Sequence, residues 1–206
     1  MAETARADRR GAVAEAKRAI ILEAALRVFT TAGLRGASMR AIAKEAGYVP
    51  GAIYAYFPSK EHIYAAALGE SLTRLRAATE AAASDRDARS RFRAAGLAFF
   101  DFYDAHPRDL DLGFYLLGGG IAPRGLSDDL NRTLNAALLA TLDPVRQAAG
   151  ELSSDTDRAT AATADVFAHA SGLLLLAHTR RLDLFRLDAR ELMRRHLVQL
   201  AESLTS

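Results

Sequence analysis

The chain predicts an all-α protein on three observations. Apolar residues recur at three- and four-residue spacing through most of its 206 residues, no stretch alternates with period two over a useful length, and the breaks between periodic segments carry Gly or Pro. At this length it can hold one large domain or two small ones with a real core.

The first helix places Ile20, Ile21, Ala24, Ala25, Val28 and Phe29 at helical spacing and ends at Gly33. Residues 38–60, SMRAIAKEAGYVPGAIYAYFPSK, read as two short helices across a glycine turn. Gly47 can take positive φ without a Cβ clash and so reverses the chain after Ala46. A second helix opens at Pro50, whose fixed φ suits a first helical position, and runs through Ile53, Tyr54 and Phe57 until Pro58 stops it. Ile42, Ala46, Ile53 and Phe57 hold the pair together, which turns Arg40, Gly51, Ala52, Tyr54, Tyr56 and Lys60 outward. Small, aromatic and basic residues on one exposed face suit a groove of DNA.

Downstream, Ser59 is a good N-cap for a helix that carries Ile63, Leu68, Leu72 and Leu75 to about Ala82. The next helix puts Phe92, Gly96, Phe99 and Tyr103 on one face and ends at His106–Pro107. A shorter helix over residues 109–117 breaks at Gly118, Gly119 and Gly120. Residues 126–149 continue as one helix kinked at Pro144. After a loop at 150–155, two long helices close the chain, at about 156–181 and 188–204.

Charge and motifs narrow the function. The net charge is only +2, yet residues 1–60 hold 10 basic and 5 acidic residues against 17 and 20 in the remainder, so the basic half is the helix-turn-helix half. Arg6, Arg9, Arg10, Lys17 and Arg18 form a basic lead-in expected to give sequence-independent help on DNA. With no cysteine there is neither a disulfide framework nor a thiolate metal site, and the N-terminus has no apolar signal-peptide core. The apolar run Phe167–Ala177 is too short to span a bilayer, so a cytoplasmic protein without a membrane partner is expected.

Enzyme readings fail. Residues 120–127, GIAPRGLS, miss a phosphate-binding loop because Leu126 stands where Lys is essential. His62, His106, His169, His178 and His196 lack metal-ligand spacing. Asp101 and Asp104 read as a solvated face. No catalytic residue, metal or cofactor is therefore expected.

The segments FTTAGLRGAS (29–38), AIAKEAG (41–47) and AIYAYFPSKEHI (52–63) resemble the helix-turn-helix of the tetracycline-repressor (TetR) family of bacterial regulators, over about the first 65 residues. Two positions depart from the family pattern: Val49 replaces the usual Ser or Thr before the recognition helix, and Tyr56 stands where many members have His. The resemblance implies a ligand-responsive transcription regulator, a repressor released from a palindromic operator by a small hydrophobic effector. Residues 1–62 would bind DNA through Ser38, Arg40, Pro50, Gly51, Ala52, Tyr54, Tyr56 and Lys60. Residues 63–206 would bind the effector and dimerise. The alternative is a helical small-molecule-binding protein whose DNA unit is non-functional.

Phe92, Phe99, Phe102, Tyr103, His106, Phe114, Tyr115, Phe167 and His169 are the candidates for an apolar effector cavity, although each taken singly reads as ordinary core. In the last two helices, Ala161, Ala162, Ala164, Ala168, Ala170 and Gly172 permit close approach, and Ala189, Met193, His196, Leu200 and Leu204 repeat at coiled-coil-like spacing. Both stripes could equally pack within one subunit. The family, whose members pair through these helices, points to a homodimer matched to a two-fold operator.

Overall fold

Gly33 and Gly47 shape the first third of the chain. The computed structural model describes residues 1–114 and 126–205, apart from the side chains of residues 2–8 and 10. Helix α1 (Ala2–Gly36) passes through Gly33 at φ 66° and ψ 170°, a backbone state open to a residue without Cβ, so its ladder breaks there before one last turn. Helix α2 (Met39–Ala46) is capped by Ser38, whose Oγ accepts from Ala41 N at 3.1 Å. It closes at Gly47 (φ 73°), where Gly47 N donates to Lys44 O and Tyr48 N to Ala43 O.

Helix α3 (Pro50–Tyr54) is shorter than its sequence suggests. Tyr56 N and Phe57 N both donate to Ile53 O, at 2.9 and 3.0 Å, and tighten the chain out of the helix before Pro58. Helix α4 (Lys60–Ala82) begins with His62 N donating to Ser59 Oγ at 3.4 Å. Helix α5 (Ala88–Ala105) starts on Asp87, which accepts from Ser90 N, and ends at His106. Helix α6 (Pro107–Gly113) gives way to a turn at Phe114, and residues 115–117 of the expected helix, like the triple glycine, fall outside the described residues.

The expected single kinked helix after residue 126 is two helices, α7 (Asp128–Thr141) and α8 (Asp143–Leu152). Pro144 has no N–H to continue the ladder, and the chain leaves helical geometry at Leu142 (ψ −3°), so Pro144 occupies the first turn of a new helix. Helix α9 (Thr156–His178) is capped by Asp155 and α10 (Ala189–Leu204) by Asp188. Between them lies a 3-10 turn, Arg181–Phe185, that the sequence reading folded into the helix and linker on either side. The described residues contain no strand.

The chain separates into two units, Met1–Glu70 with Asp111–Leu134, and Ser71–Leu110 with Asn135–Ser206. In the first, Ile21, Leu22, Ala24, Ala25 and Phe29 of α1 are buried, with Ile42, Ala43, Ile53 and Ile63. Phe29 meets Tyr64 edge-on with centroids 5.7 Å apart, and the Tyr64 hydroxyl donates to Leu112 O at 2.7 Å. Ile20, expected on the buried face, is 47% exposed; Leu22 takes its place inside.

The second unit is built from α5, α8, α9 and α10 around Phe92, Ala95, Phe99, Val145, Ala148, Val166, Leu197 and Ala201. Gly96 lets α5 approach α10 so closely that a Cβ there would lie 2.6 Å from Leu197 Cδ2. Arg190 forks onto Asp101 at 2.7 and 2.9 Å, which gives that carboxylate a partner in place of the purely solvated role read from sequence. The small-residue stripe of α9 divides: Ala162 and Ala170 are buried, whereas Ala161, Ala164, Ala168 and Gly172 face solvent. On α10, Met193 and Leu204 are buried, and His196 and Leu200 are half-buried. Helix α9 is long and apolar enough to cross a membrane by length and composition; here it buries Ala159, Val166, Leu173 and Leu174 within its own unit.

Candidate nucleic-acid interface

Ile42 and Ile53 are fully buried and Phe57 is 2% exposed, so α2 and α3 are clamped through one apolar seam, with Ala46 half-buried beside it. The clamp decides what remains outside. Ser38 and Arg40 on α2, and Pro50, Gly51 and Tyr54 on α3, are exposed; Ala52, Tyr56 and Lys60 are half-buried. Val49 is extended (ψ 146°) and supplies no side-chain cap, so Pro50 alone opens the five-residue α3.

Ser38, Arg40, Ala41, Lys44, Tyr48, Val49 and Pro50 line an open concavity of about 500 Å³ beside the turn. Lys44 and Tyr48 were not among the sequence candidates. Their signal was available: Lys44 lies four residues after Arg40 on the same short helix and so shares its face. A concavity with two cations and a tyrosine at the mouth of a helix-turn-helix can receive a phosphate backbone while α3 faces base edges.

Two cations hold main-chain carbonyls of this unit. Lys60 Nζ donates to Ala37 O at 2.9 Å and Arg35 O at 3.2 Å, so it satisfies carbonyls at the α1–α2 junction rather than pointing wholly into solvent. Arg18, read as part of a basic lead-in, donates from Nη1 to Tyr56 O at 3.2 Å and lies 4.4 Å above the Phe57 ring.

The effector candidates are scattered. Phe92 and Phe99 are completely buried core; Phe99 packs edge-on against Tyr103 and Phe167. Phe102 is buried beneath an exposed His106, whose Nδ1 lies 2.7 Å from Phe102 O. Phe114 is half-buried in the other unit, and Tyr115 lies outside the described residues. His169 stacks on His196 with centroids 3.8 Å apart instead of facing an aromatic cavity. Only Tyr103 of these lines the pocket of about 200 Å³ formed with Asp104, Pro107, Leu110, Leu174, Ala177 and His178. Burial, then the nearby Asp109, pushes the Tyr103 phenol above its usual range, so it is a neutral hydrogen-bonding group there. Among the described residues no cluster of three or more His, Asp or Glu could hold a metal ion.

Comparison with known proteins agrees with this geometry in the N-terminal segment. Residues 21–67 match the sequence model for bacterial regulatory proteins of the tetR family. The transcriptional repressor KstR of Mycolicibacterium smegmatis is 40% identical over 67 residues, which are 32% of this chain and 33% of that repressor. The match thus spans about a third of the relative's length. In fold, the chain is similar to a protein of unknown function from Rhodococcus sp. RHA1, with TM-score 0.69, 24% identity, and 92% and 96% of the two chains covered. It is also similar to the regulator FadR from Bacillus subtilis in complex with stearoyl-CoA, with TM-score 0.68, 19% identity, and 88% and 96% covered. The helix-turn-helix geometry and the sequence match thus coincide on the same N-terminal residues, where the chain resembles bacterial regulatory proteins of the tetR family.

Proposed function

We propose that this chain is a homodimeric, ligand-responsive transcriptional repressor that acts in the cytoplasm and leaves a palindromic operator when a small hydrophobic effector binds. It is a regulator rather than an enzyme. Residues 1–62 are the DNA-binding part and 63–206 the effector-binding and dimerising part. The observation that carries the reading is the concavity of Ser38, Arg40, Lys44 and Tyr48 beside the exposed Tyr54 of α3. The repressor name of the KstR relatives and the acyl-CoA in the FadR structure support a ligand-responsive repressor. The pocket at Tyr103, Leu110 and Leu174 is offered for an effector far smaller than an acyl-CoA, with Asp104 and His178 as its polar groups. Pairing is assigned to the last two helices, where Ala161, Ala164, Ala168 and Gly172 are exposed.

The test is selection of a binding sequence from random duplexes, followed by titration. Wild type is expected to enrich a two-fold symmetric site, and Tyr54→Ala and Arg40→Ala to weaken it by about tenfold or more. Tyr54 is 55% exposed, so Tyr54→Ala should leave stability within about 0.5 kcal/mol of wild type. Enrichment of no site would reject the reading.

A further inference from the structure

The recognition helix α3 has only five residues and no side-chain N-cap, so its own hydrogen bonds cannot hold it in place. Its exit is equally unsupported from within. Tyr56 N and Phe57 N have turned back to Ile53 O, and Pro58 has no N–H to offer the carbonyls before it. Arg18 of α1 fills this gap: one guanidinium nitrogen donates to the Tyr56 carbonyl at 3.2 Å while its central carbon lies over the buried Phe57 ring, 4.4 Å from the centroid. A cation suits the carbonyl end of a helical turn, and a guanidinium can bond in its plane and stack on its face at once.

We infer that Arg18 is a positioning residue of the DNA head: it fixes the exit of α3 against α1, and hence the direction of Tyr54, and does not serve as a phosphate contact. The inference rests on the DNA-binding reading for its consequence, though not for its geometry. Lys60 acts beside it, tying the start of α4 to the carbonyls of Arg35 and Ala37. The segment 56–60 is therefore held to residues of α1 and its exit by two cations on either side of Pro58.

The experiment compares the full chain with Arg18→Met and Arg18→Lys in two measurements. In amide hydrogen exchange without DNA, Arg18→Met is expected to lower protection at residues 53–57 by about tenfold while α2 keeps its protection, and Arg18→Lys to recover part of the loss. In binding titrations over a salt series, Arg18→Met is expected to weaken the selected operator about tenfold and leave the affinity and salt slope on random duplex unchanged. A phosphate contact would instead weaken both duplexes alike and reduce the slope by about 1. That result, unchanged exchange at residues 53–57, or equal loss of protection across α1, α2 and α3 would overturn the inference. If wild type selects no operator, the functional reading fails, and the exchange measurement still decides the role of Arg18.

Discussion

The two units of this chain are held together by different means. The unit with the helix-turn-helix uses short helices whose ends are fastened individually: Ser38 caps α2, Gly47 ends it, Arg18 takes Tyr56 O and Lys60 takes Ala37 O. The unit of α5, α8, α9 and α10 relies on long apolar faces in close contact, with Gly96 against Leu197 and Phe99 against Tyr103 and Phe167. A unit fastened at its ends is broken by losing a polar group. One held by interlocked faces is broken by adding volume.

The largest expected effect is therefore Gly96→Phe. Gly96 shares a helix face with Phe92 and Phe99, two of the expected cavity residues, but the space beside it is already taken: even a Cβ would meet Leu197 Cδ2 at 2.6 Å and Val166 Cγ1 at 3.3 Å. The substitution should destabilise the protein by about 3 kcal/mol through overpacking, read as a lower denaturation midpoint, instead of selectively silencing an effector response. An unchanged midpoint would mean that α5 and α10 can separate freely, and the contrast between the units would be lost.

A smaller loss, about 1 kcal/mol, is expected from Ser38→Ala, which removes the acceptor for Ala41 N at the start of α2. Lys60→Met should lose a similar amount, because its two carbonyl bonds are partly solvent-exposed. If Lys60 were wholly a phosphate ligand, Lys60→Met would leave stability unchanged and lower only the salt slope of DNA binding. The two measurements on one variant thus separate a fastening from a contact.

The same contrast explains what could be read from sequence. Helix termini in the head are set by local chemistry, so Ser38, Gly47, Pro50 and Ser59 gave nearly every boundary. The length of α3 was misjudged because helical spacing extends to Phe57, whereas the tight turn onto Ile53 O depends on Pro58. Partners of cations were not legible: Arg18 and Tyr56 are 38 residues apart, and Lys60 and Ala37 are 23. In the other unit the aromatic content of α5 was plain, but whether Phe92 and Phe99 line a cavity or fill a core depends on Leu197 of α10, which only the packing supplies. Lys44 was legible as well, since its four-residue spacing from Arg40 places it on the exposed face of α2.

The smallest expected effect concerns a pair of ionisable groups that the apolar unit carries inside its contacts. His169 and His196 stack 3.8 Å apart, both half-buried, and His196 Nε2 has no hydrogen-bond partner. Burial lowers the pKa of His169 first and the neighbouring His196 second, while Asp165 opposes the shift; for His196 burial lowers it and Asp165 again opposes. With both folded values below the ordinary 6.5, the unfolded chain binds protons first as the pH falls. Stability contributed by the neutral pair is therefore fully present above about pH 6.5 and is lost as the pH drops through the folded values, so unfolding free energy should rise with pH across that window. Denaturant titrations between pH 5 and 8, a range chosen around the ordinary histidine value, should show this slope in wild type and a reduced one in His196→Gln. The partial exposure of both rings keeps the expected slope shallow. Equal slopes in the two proteins would show that the stacked pair is solvated well enough to titrate as it does in the unfolded chain, and that the packing of this unit tolerates charge as readily as the head does.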